Sequence, residues 1–187
     1  ALVVGHIARF HPMKDHANFL QAAVDVAKKH PNTYFLLSGR GVCSKNTEVT
    51  QYIISSLQNR FHFLGERADV ADLMSSMDIL CSSSSRGEAF PNVLGEAMAT
   101  GIPCVATDVG DSALIIADCG VVAPPRNKIA LAEGVESLLN LPNEEREKLG
   151  LRARQRIEDN FKLNVIVDKY AELYEKLRMN VEESLIK

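Results

Sequence analysis

The four cysteines of this 187-residue chain, Cys43, Cys81, Cys104 and Cys119, stand far apart and form no C-x-x-C pair. Cys81 and Cys104 lie inside apolar runs and read as small buried hydrophobes of a reducing compartment. No apolar run approaches the ~20 residues needed to span a bilayer, and no signal-peptide pattern is visible. Positive charge is not in excess: the formal net charge is −3, which gives no support for a nucleic-acid footprint. The chain lacks G-x-G-x-x-G, so a nicotinamide-type dinucleotide site loses its main support. There is no internal repeat and no low-complexity segment. The run Ser82–Ser85 is too short to count and reads as a strand-end loop.

What is present is an ordinary globular composition, 46% hydrophobic and 24% charged, long enough for one domain with a full core. Short continuous apolar runs at 1–5, 33–38, 61–64, 78–82, 102–106 and 120–123 predict strands buried on both faces. Amphipathic segments at 15–30, 46–58, 69–77, 91–100 and 127–139 predict helices between them, and 143–159 and 162–179 predict two more with no intervening strand. Alternation of this kind specifies an α/β fold, a Rossmann-like doubly wound parallel sheet of about six strands with helices on both faces. Ligands of such sheets bind beyond the carboxyl ends of the strands, so the loops there are where chemistry is sought.

Three loops qualify. After the first strand, "GHIARFHPMKD" carries Arg9 and Lys14 ahead of a helix start, either a pair that binds a phosphate or diphosphate or two solvated cations. After the second, "SGRGV" has Gly39 and Gly41, which permit close approach of a ligand or simply a tight turn. The third is "SRGEAFPNVLGE", residues 85–96. Ser85 and Glu88 have capping-box spacing, but Pro91 comes too late for that box and is placed at the first helical position. The cap position then falls on Phe90, which has no oxygen to accept. The amides of Asn92, Val93 and Leu94 are left for an anion, with Glu96 one turn further on the same face. A carboxylate beside an anion is useful when it accepts from hydroxyls, so the stretch suggests a phosphorylated sugar held between acceptors and amides.

With these motifs in order, and with "FHFLGERADVADLMSSMDILCSSSSRGEAFPNVLGEAMATGIPCVATDVGDSALII" and "DCGVVAPPRN" following, the chain resembles the C-terminal donor-binding domain of retaining family 4 (group 1) glycosyltransferases, one half of the GT-B fold. Its most specific part is the seven-residue interval between Glu88 and Glu96. The resemblance implies that Arg9 and Lys14 contact the donor diphosphate and steady charge on the leaving group. It implies that Glu88 lies by the transferred sugar, as catalytic residue with that basic pair, and that Glu96 binds the ribose hydroxyls. The backbone of Phe90, Asn92, Val93 and Leu94 is then expected to line the sugar and phosphate, with Gly39, Gly65, Glu66 and Arg67 around the base and ribose. Asp111 and Leu114 stand where many members have Gly and Glu, so no donor contact is assigned there.

The implied activity is glycosyl transfer with retention from a nucleotide sugar, UDP-linked by default, to an acceptor hydroxyl in glycan, lipopolysaccharide or exopolysaccharide biosynthesis. No cofactor or metal is expected, and no D-x-D motif is present. The opening "ALVVG", a strand pattern without methionine, predicts a piece cut at a domain boundary. Residues 1–187 are read as a single nucleotide-sugar donor-binding domain, with 162–187 a C-terminal crossover helix and tail. The apolar stripe of that helix is Val165, Ile166, Tyr170, Leu173, Tyr174 and Leu177. The acceptor, a glycan or lipid-linked glycan, would be bound by an N-terminal domain absent from this chain. The whole enzyme is expected in the cytoplasm, or peripherally at the cytoplasmic face of a membrane. Similar loops would serve a GT-B sugar-nucleotide epimerase or phosphorylase, or a nucleotide-sugar-binding module without catalysis.

Overall fold

The computed structural model describes the backbone of residues 1–185 and the side chains through residue 179. Its strands are β1 (Leu2–Ile7), β2 (Thr33–Ser38), β3 (Phe61–Phe63), β4 (Ile79–Ser82), β5 (Cys104–Thr107) and β6 (Gly120–Ala123). The helices are α1 (His16–Lys29), α2 (Thr47–Thr50), α3 (Val70–Ser75), α4 (Asn92–Ala99), α5 (Ser112–Ile116), α6 (Lys128–Leu139), α7 (Asn143–Asn160) and α8 (Leu163–Leu185). All strands pair in parallel in the order β3-β2-β1-β4-β5-β6, so the chain begins in the middle of the sheet, winds out to one edge, and returns beside β1 to build the other half.

Alternation along the strands explains why both faces need covering. Ile79 and Cys81 join one buried layer with Val105, Phe19, Leu20, Leu131 and Val135, which α1 and α6 cover. Leu80, Cys104 and Ala106 point the other way, into a layer closed by Leu94 and Met98 of α4 and Ile115 and Ile116 of α5. Burial pushes the thiols of Cys81 and Cys104 up out of reach of ionisation, so they behave as inert core side chains.

Three boundaries differ from the sequence expectation. Segment 46–58 is not one helix: α2 is a single turn capped by Asn46, and Ser55–Arg60 forms a 3-10 helix. Thr47, Val49, Thr50, Ile53 and Ile54 make the stretch β-branched and poor at helix propagation. Helix α4 begins at Asn92, with Pro91 at the cap position rather than inside the first turn. A one-turn helix, α5, occupies a stretch that has no helical period to reveal it. Among the described residues no helix is long and apolar enough to cross a membrane.

Helix α7 is mostly polar and docks through a narrow apolar row, Leu149, Ala153 and Ile157, together with close backbone approach and arginines. Arg156 donates to the carbonyls of Ile115 at 2.8 Å and Leu114 at 2.5 Å. A Cβ on Gly150 would overlap the carbonyl oxygen of Gly101, at the end of α4. Gly150→Ala is therefore expected to force α7 away from α4 and cost about 1–3 kcal/mol, read as a lowered urea midpoint; an unchanged midpoint would show that the helices slide apart freely.

Candidate active site

The strand order leaves a gap where β1 and β4 lie side by side, because α1 covers one face of the sheet and α4 the other. The chain after β1 crosses that gap in a 3-10 turn, Pro12–Lys14, capped by the His11 ring accepting from the Met13 amide at 3.2 Å. It then reverses at Asp15, a non-glycine residue at φ 45, whose carboxylate caps α1 by accepting from the Asn18 amide. This tight reversal points Lys14 across the gap toward the loop after β4.

There Lys14 Nζ donates to Glu88 Oε1, and Ser84 Oγ donates to the same oxygen at 2.6 Å. Ser84 is itself held by its carbonyl, which accepts from Thr107 Oγ1 at 2.5 Å. Glu88 thus spends Oε1 on Lys14 and Ser84, and among the described residues Oε2 has no hydrogen-bond partner. Partial burial would push its carboxyl up, but the hydrogen bonds from Lys14 and Ser84 and the charges of Lys14 and Arg9 outweigh it and hold the group below the usual glutamate value.

A second tie runs beneath. Ser83 Oγ donates to the carbonyls of Lys14 and Asp15, at 2.8 and 3.1 Å, and lies 3.0 Å from His6 Nε2. With the hydroxyl proton spent on carbonyls, the His6 Nε2 carries the hydrogen and Nδ1 is bare. Burial, aided by the charges of His16 and Lys14, keeps His6 well below its ordinary value and neutral. His16, buried beside it with ring centroids 4.7 Å apart, is pushed down to about 4 by burial. The loop after β5 closes the far side: the Asp111 amide donates to the Ala89 carbonyl at 2.8 Å, and a Cβ on Gly110 would overlap the Glu88 and Ala89 carbonyls.

Of the remaining predicted residues, Arg9 is exposed above the gap. Gly39, at φ 147, passes so close to the Ala8 carbonyl that a Cβ would not fit, and its amide donates to the Gly65 carbonyl at 2.8 Å. Those two glycines therefore back the Arg9 loop. Glu66 is exposed, and Arg67 forks onto Asp69 at 2.7 and 2.5 Å. No capping box forms at Ser85, whose amide and hydroxyl turn to the Met13 carbonyl instead. At the start of α4, the Leu94 amide donates to the Pro91 carbonyl and its side chain is fully buried, so the expected anion-facing role narrows to the amides of Asn92 and Val93. Phe90 is half exposed and packs on Phe161, and Glu96 is exposed one turn beyond Asn92.

Residues 1–141 match the family model described as glycosyl transferases group 1. The chain belongs to the group 1 glycosyltransferases. It is 29% identical over 172 residues to the N-acetyl-alpha-D-glucosaminyl L-malate synthase of Bacillus anthracis, covering 90% of this chain and 44% of that protein. It is 32% identical over 132 residues to the phosphatidyl-myo-inositol mannosyltransferase of Mycobacterium leprae, covering 68% and 34%. The crystal structure of Anabaena Alr3699/HepE in complex with UDP-glucose superposes with a TM-score of 0.79 at 25% identity, over 94% of this chain and 49% of that one. The chain thus spans less than half the length of these relatives, and its fold is one Rossmann-like half of a GT-B glycosyltransferase.

This group 1 domain also contains site residues that the sequence reading passed over. His6, Ser83, Ser84 and Thr107 fix Lys14 and Glu88, yet each reaches a partner far away in sequence, His6 to Ser83 across 77 positions and Thr107 to Ser84 across 23. The serine run 82–85 was the available signal.

Because Glu88 titrates below an unperturbed glutamate, its ionised form stabilises the fold above the ordinary glutamate value, and that contribution is lost as pH falls through the folded value. Lys14→Met removes the largest of the lowering influences. Glu88 is then expected to titrate at higher pH by carboxyl NMR, with a smaller acid-side loss of stability because the folded and unfolded values lie closer together. An unmoved Glu88 titration would contradict the pairing.

Proposed function

We propose that this chain is the donor-binding half of a retaining glycosyltransferase of the family 4 type, taking a nucleotide-diphosphate sugar without a metal. The observation that carries the reading is the convergence of Lys14, Glu88, the open amides of Asn92 and Val93, and Glu96 on one gap at the carboxyl ends of β1 and β4. A diphosphate seated there faces Arg9, Lys14 and the N-terminus of α4, where helix dipole and free N–H groups both favour an anion. Lys14 has three donors and Glu88 engages one, so the ammonium can keep its partner and still reach a phosphate oxygen.

Breaking the bond between the anomeric carbon and the phosphate oxygen gathers charge on the departing diphosphate, and Arg9 and Lys14 stand where that charge grows. The free oxygen of Glu88 is a fixed, ionised acceptor for a sugar hydroxyl or for positive charge developing on the ring. Glu96, exposed and without a partner among the described residues, is suited to accept from ribose hydroxyls. UDP is the expected nucleotide, because HepE is a relative whose structure holds UDP-glucose. The acceptor hydroxyl would come from outside these residues, and the relatives matched here are about twice this length, room for a second domain to supply it.

Isothermal titration of the folded chain with UDP, GDP and ADP tests the reading. UDP should bind, and Lys14→Ala and Glu96→Ala should each weaken it by about 1–3 kcal/mol, as for lost charge-assisted hydrogen bonds. Absence of heat with all three nucleotides would sink the donor-domain reading. Unchanged affinity in both variants would move the nucleotide elsewhere.

A further inference from the structure

On the face of the sheet that carries α1 and α6 there is a concavity of about 470 Å³ that the donor reading does not use. None of Arg9, Lys14, Glu88 or Glu96 lines it. Its walls include Asp15 and Asn18 at the start of α1, Ser85 and Arg86 from the loop leading to Glu88, and Arg126 and Lys128 at the entrance to α6.

Three features point to an anion. Arg86 and Arg126 are exposed, and neither forms a hydrogen bond or ion pair among the described residues. Arg126 also sits at φ 59, a left-handed conformation that a side chain bearing Cβ adopts only at a cost and that glycine adopts freely. The fold therefore sustains local strain at the one residue that aims this guanidinium from the α6 entrance. Asn18, also in the wall, is 6% exposed, and among the described residues its side-chain nitrogen is buried without an acceptor. The charge balance is positive: Arg86, Arg126 and Lys128 stand against Asp15 alone, although Lys128 shares its charge with Asp25 at 3.4 Å and the Asp15 carboxylate is engaged in capping α1.

We infer that this concavity binds a phosphate group of the acceptor, gripped by Arg86 and Arg126. Two guanidinium forks suit the tetrahedral oxygens of a phosphate better than a lone carboxylate. The donor diphosphate has its own cations across the Pro12–Lys14 turn, so a second phosphate here belongs to a second substrate. Arg86 lies two residues before Glu88, so a phosphate held by it draws the acceptor toward the loop assigned to the transferred sugar. The assignment to the acceptor rests on the proposed transferase reading; the anion site itself does not.

The test is an amide NMR titration of the chain with inorganic phosphate at about 150 mM salt, where weak surface attraction is screened. Saturable shifts are expected at Asn18, Arg86 and Arg126–Lys128. Arg126→Gly removes the guanidinium while relieving the backbone, so it should melt no lower than the parent. That variant and Arg86→Ala should each weaken phosphate binding about tenfold, and the double variant should abolish it, with UDP affinity unchanged. Glucose 6-phosphate and phosphatidylglycerol vesicles, tested in parallel, tell a sugar-borne from a lipid-borne phosphate by which one the double variant loses. No saturable response, or an equal response in the double variant, overturns the site. Phosphate binding here with no UDP binding anywhere would instead overturn the donor reading and leave the anion site standing.

Discussion

Starting a parallel sheet in its middle forces the chain to wind outward twice, and the helices that follow the two central strands must leave on opposite faces. Among the described residues no helix then covers the ends of β1 and β4, and the amides of Asn92 and Val93 have no carbonyl to bond. The rest of the molecule is arranged around that unfilled gap. The turn at Pro12–Lys14 narrows it from one side, the loop from Ser83 to Phe90 from the other, and the loop after β5 braces the second against collapse by holding the Ala89 carbonyl.

Bringing Lys14 to Glu88 has an electrostatic cost, because their side chains are only 22% and 11% exposed. Each charge loses water, and the pair is tolerable only because each is the other's partner and Ser84 adds a hydrogen bond to the carboxylate. Removing one member strands the other. The same logic explains the neutral imidazole below: a charged His6 would bring a second positive group beneath Lys14 and leave an N–H at Nδ1 with no acceptor. Keeping that ring uncharged lets Ser83 tie two loops together without competing for Glu88. The site is thus a small set of charges on top of a layer of neutral hydroxyls and rings.

How much of this was legible in the sequence follows from how local each feature is. Strands buried on both faces announce themselves as unbroken apolar runs, and all six were read near their observed bounds. Glu88, Asn92 and Glu96 lie within one loop and two helical turns, so spacing alone brings them together. Residues 46–58 misled because Val49, Ile53 and Leu57 recur at helical intervals, while the β-branched residues among them break the helix after one turn. Pro91 was placed one position too deep, and with it the Leu94 amide was counted as free. The pairing of Lys14 with Glu88 joins residues 74 positions apart, and no local pattern reveals it; only the family likeness put both at one site. Thr107 and His6 carry no such signal, since a threonine ending a strand or a histidine within one is ordinarily core filling.

An open crevice limits what these charges accomplish. Attraction between exposed groups is screened by water and salt, whereas the same groups become far more effective when water is excluded. Of the four charged side chains assigned to the gap, Glu88 and Lys14 are partly sheltered, whereas Arg9 and Glu96 face solvent. The exposed Tyr170, Leu173, Tyr174 and Leu177 of α8 add apolar surface that this half leaves uncovered. In the proposed enzyme, closure over the gap would raise the effect of Arg9 and Lys14 on a departing diphosphate at the moment both substrates are in place. The strength of catalysis would then be set by a surface opposite this one, while the placement of charge is already built into the loops after β1 and β4.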